Sequence, residues 1–292
     1  IEPGRLHRFP TNGKRGDLSG WCRLFDDGHA GVYGCWRHGL SDVWTAVPRD
    51  GMTPAERADL HKRIEHDRAQ RETEQRAAWR KNLDRIAHLR HQCDPVSEGD
   101  PVHRYLCRRL AVESFAVPEC IRLHPAMPYV HDGEAVGTFP AMVAPLVNRG
   151  GDVLALHRTY LTATGDKAPV PGPVKKLTPA AGLLRGTHIP SHQPVDGVLG
   201  IGEGIETSLA ARLASGVPTV AAYSAGNLAA WQWPTGALRV VIFGDHDKAG
   251  AEAADMLRAR ALAAGLRVQT LTPETPGQDW ADVWATREGA RA

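Results

Sequence analysis

Apolar runs that end abruptly in glycine and carboxylate are the clearest pattern in the chain, and they lie in its last third. Apolar runs of this length are typical of parallel strands that are buried on both faces. Helical patterns follow them, so strands and helices alternate. The strands are predicted at residues 198–201, 219–222, 239–244 and 267–271. The alternation predicts a four-stranded parallel sheet with right-handed crossovers, flanked by helices, which is an α/β fold.

Acidic side chains follow two of these strands. Glu203 comes after the first strand, and Asp245 and Asp247 come after the third. Open α/β sheets bind ligands beyond the carboxyl ends of their strands, so we expect the three carboxylates at one edge. Three carboxylates there repel each other unless a cation lies between them, and oxygen ligands suit Mg²⁺ or Mn²⁺. The alternative interpretation is that Glu203 or Asp245 caps a helix.

Further candidates surround this predicted catalytic metal site. Asp279 and Asp282 are candidates for a second ion or for positioning, and Lys248 is a candidate for contact with a phosphate or for neutralising the acidic edge. Divalent ions of this kind typically serve phosphoryl chemistry.

An antiparallel hairpin is predicted upstream, with strands at residues 139–147 and 153–160 around a turn. Alternation along the second strand places His157 and Arg158 on opposite faces. Together with basic residues of a nearby loop, they predict a basic groove for nucleotide phosphates or a template backbone. The members of the groove are His157, Arg158, Lys167, Lys175 and Lys176. Arg104 and Arg108, in a short helix predicted at 102–110, are further candidates for binding nucleotide or DNA. For the lysines, an exposed mobile loop is the open alternative.

A long helical segment precedes this region. Thr53, Pro54 and Glu56 form a good helix start, in which Thr caps and Glu closes the capping box. Nothing interrupts a helix from there to about His91, so one long helix or two are predicted. The mixed charges of the segment favour a solvated face.

The first 48 residues are predicted to be rich in β-strands, with a hairpin around Asp26-Asp27-Gly28. Cys22, Cys35 and His38 offer only one short ligand pair, so a small sheet with buried cysteines is favoured over a zinc site. A basic and aromatic surface for single strands is a second interpretation, and an ordinary solvated edge is equally open. That surface would comprise Arg5, His7, Arg8, Lys14, Arg15, Trp21, Tyr33 and Trp36.

Composition narrows the class of protein. The chain has 292 residues, 42% of them hydrophobic, and a formal net charge of only +2, so charge alone does not indicate a nucleic-acid binder. Five widely spaced cysteines favour a reducing compartment. No apolar run approaches the about 20 residues needed to cross a bilayer and no signal peptide is visible, so we expect a cytoplasmic protein without membrane contact. The chain begins at Ile1 rather than Met, as a piece of a longer protein would.

Three segments resemble the Toprim domain of bacterial (DnaG-type) primases, topoisomerases and certain nucleases. They are Gly202-Glu203-Gly204-Ile205-Glu206-Thr207, Asp245-His246-Asp247-Lys248-Ala249-Gly250 and Gly277-Gln278-Asp279-Trp280-Ala281-Asp282. The last resembles the acidic segment of primase-like proteins from phages and plasmids. The resemblance implies Glu203, Asp245 and Asp247 as ligands of Mg²⁺ or Mn²⁺. The chain departs from primases at Thr207, where primases usually have an aspartate, which puts a fully occupied two-metal site in doubt.

The resemblance implies a domain organisation and a function. We predict a β-rich leader related to a zinc ribbon at 1–50, a charged helical segment at 51–95, a primase-like α+β subdomain at 96–196 and a Toprim domain at 197–292. The implied function is synthesis of short RNA primers on single-stranded DNA from ribonucleoside triphosphates. A replicative helicase is an open further partner. A metal-dependent Toprim nuclease and a non-catalytic nucleic-acid-binding module are the alternatives.

Overall fold

The computed structural model describes residues 1–11, 13, 18–35, 40–48 and 51–289. Contacts divide the chain into two compact units, Ile1–Ala77 and Ala78–Ala292. The division of the sequence into four regions stays a prediction. Four residues that the sequence suggested for a zinc site or a single-strand surface lie outside the described residues: Lys14, Arg15, Trp36 and His38.

The first unit contains an antiparallel sheet of four strands in sequential order. The strands are β1 (Leu6–Phe9), β2 (Gly20–Leu24), β3 (Ala30–Cys35) and β4 (Leu40–Thr45). Trp21 is buried in a small core with Phe25, Val32 and Leu60, so it is not part of an exposed aromatic surface, whereas Tyr33 is 44% exposed. Cys22 is partly buried and Cys35 is buried.

Helix α1 (Pro54–His91) begins as the sequence predicts. Its capping box is formed, because the Glu56 carboxylate accepts hydrogen bonds from the Thr53 N–H at 2.7 Å and hydroxyl at 2.8 Å. Within the first unit, buried Asp67 pairs with Arg23 at 3.0 Å and with Arg71 at 2.7 Å. A buried carboxylate needs such partners to offset its desolvation.

The second unit begins with an antiparallel sheet of five strands in the order β5-β6-β7-β8-β9. These strands and helix α2 are β5 (Asp94–Pro95), α2 (Pro101–Arg109), β6 (Arg122–His131), β7 (Glu134–Val147), β8 (Val153–Tyr160) and β9 (Lys175–Leu177). The predicted hairpin is therefore present as β7 and β8. One face of the sheet packs on Ile86 and Leu89 of α1, and the other contributes to a core shared with α2 and the downstream helices.

A parallel sheet with the order β11-β10-β12-β13 completes the second unit. Its elements are β10 (Val198–Gly202), α3 (Ile205–Ser215), β11 (Thr219–Ala221), α4 (Ala225–Ala230), β12 (Arg239–Phe243), α5 (Lys248–Ala263), β13 (Arg267–Leu271) and α6 (Trp280–Gly289). All three pairings are parallel. The predicted fold class is confirmed. Strands β10 and β12 lie side by side at the centre, so the segments after them share one edge.

The described helices were compared with the requirements for a membrane span. None of those described combines the length and the apolar character that a membrane span requires.

Candidate functional site

Two acidic residues lie where the central strands of the parallel sheet end. Glu203 follows β10 and Asp245 lies two residues beyond the end of β12, and both side chains are partly buried. Gly250 allows the chain to fold tightly after Asp245, because a Cβ at this glycine would lie 2.8 Å from the Asp245 carbonyl oxygen. The sheet therefore brings together two carboxylates that are far apart in the sequence.

The remaining acidic candidates cap helices at the same edge. Asp247 is the N-cap of α5, and its carboxylate accepts the Gly250 N–H at 2.7 Å. Asp279 and Asp282 accept each other's backbone N–H groups, at 3.2 Å to Asp282 and 2.9 Å to Asp279, at the start of α6. A carboxylate that caps a helix with one oxygen keeps lone pairs for a second partner. Capping and ion binding are therefore compatible in this set.

Burial and mutual repulsion change the acidity of the site. Burial, and after it the charges of neighbouring carboxylates, raise the pKa of Asp245 to about 7; those neighbours are Glu203, Asp279, Asp247 and Asp282. Burial also raises the pKa of Glu203, and the Asp247 charge adds to this effect. The edge therefore carries more negative charge than its own protein groups neutralise, which favours a cation.

The chemistry of these residues fits a hydrated divalent ion. No three His, Cys, Asp or Glu side chains among the described residues lie close enough to hold an ion between them as they stand. Mg²⁺ does not need such a cage, because it usually keeps several waters and takes one or two carboxylates together with substrate phosphates. Buried Asp245 Oδ1 has no hydrogen-bond partner within the described residues, which leaves it available to an ion.

A cavity of about 280 Å³ opens beside these carboxylates. Its lining has opposite charges on two sets of side chains. The acidic set is Glu203, Asp245 and Asp279, and the basic set is Arg109, Lys167 and Lys175. Such a cavity can receive an anionic group together with a cation, which is the charge pattern of a metal-bound phosphate.

Glu206 also lines this cavity, but it faces basic and hydroxyl groups. Its carboxylate accepts hydrogen bonds from the Tyr105 hydroxyl at 2.5 Å and from the Lys175 ammonium at 3.0 Å. Burial opposes ionisation of Glu206, but the Lys175 charge and the Tyr105 hydrogen bond outweigh it and lower its pKa to about 2. Thr207, next in the chain, lines the cavity where primases usually have an aspartate.

The predicted basic groove is divided between two faces of the antiparallel sheet. His157 is buried on the face of Lys175, and burial followed by the Lys175 charge lowers its pKa to about 4. Arg158 and Lys176 are paired across β8 and β9 and lie on the opposite face. The Lys176 ammonium is 3.8 Å from the centre of the Tyr129 ring. Of these four residues, Lys175 alone lines the cavity described above.

Lys167, like Lys175, lines the cavity, whereas Arg104, Arg108 and Lys248 are not part of its lining. Arg108 forms an ion pair with Asp166 and donates to the Thr164 carbonyl, and Arg104 lies on the same side of α2, four residues earlier. Lys248 is highly exposed and 4.0 Å from Glu252. Their roles in binding stay predictions.

Sequence reasoning missed Arg109 and Tyr105 as residues of the site. Positions 105 and 109 share one face of a helix, and positions 104 and 108 share the next. Tyr105 is buried, so the face that carries positions 105 and 109 is the one turned toward the protein. The four-residue spacing between Tyr105 and Arg109 would have favoured Arg109 over Arg104 and Arg108 as a residue of the site.

Tyr223 adds an aromatic surface to the cavity in a strained backbone conformation. It follows β11, lines the cavity and has φ +62°. A bulky side chain rarely adopts this left-handed region, and such strain is concentrated at functional sites. Nothing in the sequence pattern indicates this conformation, because it depends on how the strand meets the next helix.

Comparison with protein families finds matches to two segments of the chain. Residues 198–290 match the family described as Toprim domain, and residues 80–185 match a domain of unknown function, DUF7146. Residues 198–290 thus match a Toprim domain, and the resemblance found in the motifs of this segment is confirmed. A search of curated proteins finds no match to this chain.

Solved primase structures are similar to the chain at low identity. A DNA primase domain from Pseudomonas aeruginosa is 16% identical with a TM-score of 0.37, over 57% of this chain and 54% of that one. The primase fragment of the bacteriophage T7 primase-helicase protein is 13% identical with a TM-score of 0.37, over 98% of both chains. The RNA polymerase domain of Mycobacterium tuberculosis primase DnaG is 15% identical with a TM-score of 0.41, over 75% of this chain and 81% of that one.

The chain spans about half of the Pseudomonas structure. Since these identities and TM-scores are low, the Toprim assignment rests on the family match and on the topology of the sheet.

Proposed function

We propose that this protein is a primase-like nucleotidyltransferase that makes short RNA primers on single-stranded DNA from ribonucleoside triphosphates, with Mg²⁺ or Mn²⁺. The observation that carries the proposal is the cavity at the edge of the Toprim sheet. It combines carboxylates for a divalent ion with cationic side chains for phosphates. Nucleotidyl transfer requires both, because a triphosphate and a primer end must approach each other despite their negative charges.

The reaction in this proposal is the transfer of a nucleotide to a 3′ hydroxyl. The hydroxyl oxygen forms a bond to the α-phosphorus, the bond from that phosphorus to the oxygen bridging to the β-phosphate breaks, and pyrophosphate leaves. The hydroxyl proton passes to a carboxylate. Glu203 is the candidate for this role because its partly buried carboxylate lines the cavity.

Asp245, with Glu203 and Asp247, would hold the divalent ion. When bound, the ion neutralises phosphate charge and orients the attacking and leaving oxygens. Arg109, Lys167 and Lys175 bind phosphate oxygens from the other side of the cavity, where their charges attract the triphosphate. The single-stranded template and a replicative helicase stay predicted partners.

Primer synthesis on single-stranded DNA with labelled ribonucleotides tests the proposal. The wild-type chain, Glu203→Gln and Glu252→Gln are compared with Mg²⁺ and with Mn²⁺. The matched control Glu252→Gln removes an exposed carboxylate on α5 that is not part of the cavity lining. We expect short labelled products from the wild type and the control and none from Glu203→Gln.

Cleavage of the template that depends on Glu203, without labelled products, would replace the proposal with the nuclease alternative. Binding of nucleic acid with neither reaction would favour a binding module.

A further inference from the structure

We propose that Glu206 is a positioning residue that arranges the basic side of the cavity for phosphate, and that it is not a metal ligand. The inference rests on the proposed function only in taking phosphate as the ligand of the cavity. The three side chains Glu206, Tyr105 and Lys175 are called the Glu206 network below.

Glu206 has its hydrogen-bonding capacity directed away from the acidic edge. Oε1 accepts from the Tyr105 hydroxyl at 2.5 Å and lies 2.9 Å from Lys175 Nζ, and Oε2 accepts from Lys175 Nζ at 3.0 Å. The residue is only 5% exposed. Both oxygens are therefore engaged, and a buried carboxylate that gave up these partners would bear an uncompensated desolvation cost.

Lys175 keeps donor capacity beyond its hydrogen bond to Glu206. An ammonium group has three N–H donors, and it donates one of them to Glu206 Oε2. The Lys175 side chain remains 44% exposed and lines the cavity. Its other N–H donors can therefore serve a ligand in the cavity, and Glu206 fixes the direction of a flexible side chain that would otherwise sample many rotamers.

Tyr105 connects Glu206 to the second basic group. Tyr105 and Arg109 are four residues apart in α2 and share a face of the helix. The hydrogen bond from Tyr105 anchors this face to α3, and Arg109 reaches the cavity, where its guanidinium lies 4.0 Å from the Asp279 carboxylate. One buried carboxylate therefore sets the places of both Lys175 and Arg109.

Binding of Mg²⁺-tripolyphosphate to the full chain, measured by titration calorimetry, tests this inference without requiring catalysis. Glu206→Gln keeps an acceptor for Tyr105 but loses the charge that holds Lys175. We expect it to weaken tripolyphosphate binding about tenfold, the size of a lost charge-assisted hydrogen bond. In a Lys175→Met background the same change should have less than about a twofold effect, because contacting residues are non-additive.

The Arg109 side of the network has its own pair of variants. Tyr105→Phe should weaken tripolyphosphate binding several-fold, and should have almost no effect in an Arg109→Met background. Glu252→Gln is the control for the loss of a carboxylate. If Glu206→Gln alone does not fold, the neutral pair Glu206→Gln with Lys175→Met and the Tyr105→Phe series still test the inference.

Mn²⁺ binding without phosphate separates positioning from metal ligation. We expect Glu206→Gln to leave Mn²⁺ affinity unchanged and Asp245→Asn to lower it. Loss of Mn²⁺ binding in Glu206→Gln, or additive effects of Glu206→Gln and Lys175→Met, would overturn the inference. If the variants show the expected pattern of tripolyphosphate and Mn²⁺ binding but the wild type makes no primers, the proposed function would be contradicted. The inference about the Glu206 network would not be affected.

Discussion

Burial and the charges of neighbouring carboxylates both raise the pKa of Asp245. We expect Asp245→Asn to reduce primer synthesis by roughly 100-fold or more, because even groups that only support metal ligands cost 10–100-fold when they are removed. We also expect the variant to be more stable than the wild type at pH 7 in the absence of ions, since it removes a buried charge whose pKa is raised. Primer assays and thermal unfolding in EDTA measure the two effects.

A variant that loses activity and also unfolds more readily would show instead that Asp245 stabilises the fold. Glu252→Gln, which removes an exposed carboxylate of α5, should change neither quantity.

Glu206 should make the stability of the protein sensitive to acid. Its pKa is about 2 in the folded chain, against 4.5 for the ordinary group. A lowered pKa contributes stability above the unfolded value, and this stability is lost as the pH falls from about 4.5 toward 2. We expect a contribution of about 3 kcal/mol at neutral pH. Urea unfolding of the wild type and Glu206→Gln between pH 3 and pH 6 measures it.

The difference in the free energy of unfolding between the two proteins should shrink as the pH falls. A difference that is constant across this range would contradict the assignment of the ionised pair to Glu206 and Lys175.

The N-terminal cap of helix α2 supports two residues that belong to the site. The Asp100 carboxylate accepts the N–H groups of Val102 and His103, both at 2.8 Å, and caps the helix that carries Tyr105 and Arg109. We expect Asp100→Ala to cost about 1 kcal/mol of stability and to weaken tripolyphosphate binding, because the first turn of α2 supports both residues. Chemical denaturation and calorimetry measure the two effects.

Asp255→Ala, in an exposed part of α5, is the matched control and should have no such cost. If Asp100→Ala lowered stability without changing phosphate affinity, the position of α2 would not depend on its cap.

Strand β9 offers a test of which face of the antiparallel sheet binds phosphate. Lys175 and Lys176 are neighbours in the sequence, but Lys175 contacts Glu206 at the cavity and Lys176 packs on Tyr129 on the other face. We expect Lys175→Met to weaken tripolyphosphate binding about tenfold and Lys176→Met to leave it unchanged. Equal losses in the two variants would mean that phosphate reaches both faces.

At the scale of the whole molecule, the contacts divide the chain into Ile1–Ala77 and Ala78–Ala292. The second unit contains the antiparallel sheet, the parallel sheet and every residue that lines the cavity. We therefore expect residues 78–292, produced alone, to unfold cooperatively and to bind Mg²⁺-tripolyphosphate within about threefold of the full chain, since large buried cores support independent folding. Circular dichroism and calorimetry of the fragment test this expectation.

A fragment that does not fold, or a much lower affinity, would show that the first unit is needed for the second. Primer synthesis by the fragment is a separate question, because a template could also require the first unit.

Much of the fold could be predicted because its signals are local. The apolar runs of the parallel sheet, the capping box at Thr53 and Glu56, and the hairpin of β7 and β8 all follow from residues that are near each other in the sequence. The acidic edge was also predictable, since parallel strands bring Glu203 and Asp245 to the same end. The arrangement of the basic residues was harder to predict from the sequence, because these residues come from elements whose relative placement no local pattern specifies.

The sequence by itself determined the parallel sheet, its order of helices and strands, and the carboxylates at its edge, because period and position along the chain specify them. The tertiary structure alone decided which cations meet those carboxylates. In the folded chain Lys175 contacts Glu206, whereas Lys176 lies on the other face of the sheet. Arg109 lines the cavity and Arg108 does not, and Glu206 is buried as a partner of Tyr105. These choices depend on long-range packing between α2, β9 and α3, where the cost of burying a charge selects the arrangement that pairs it.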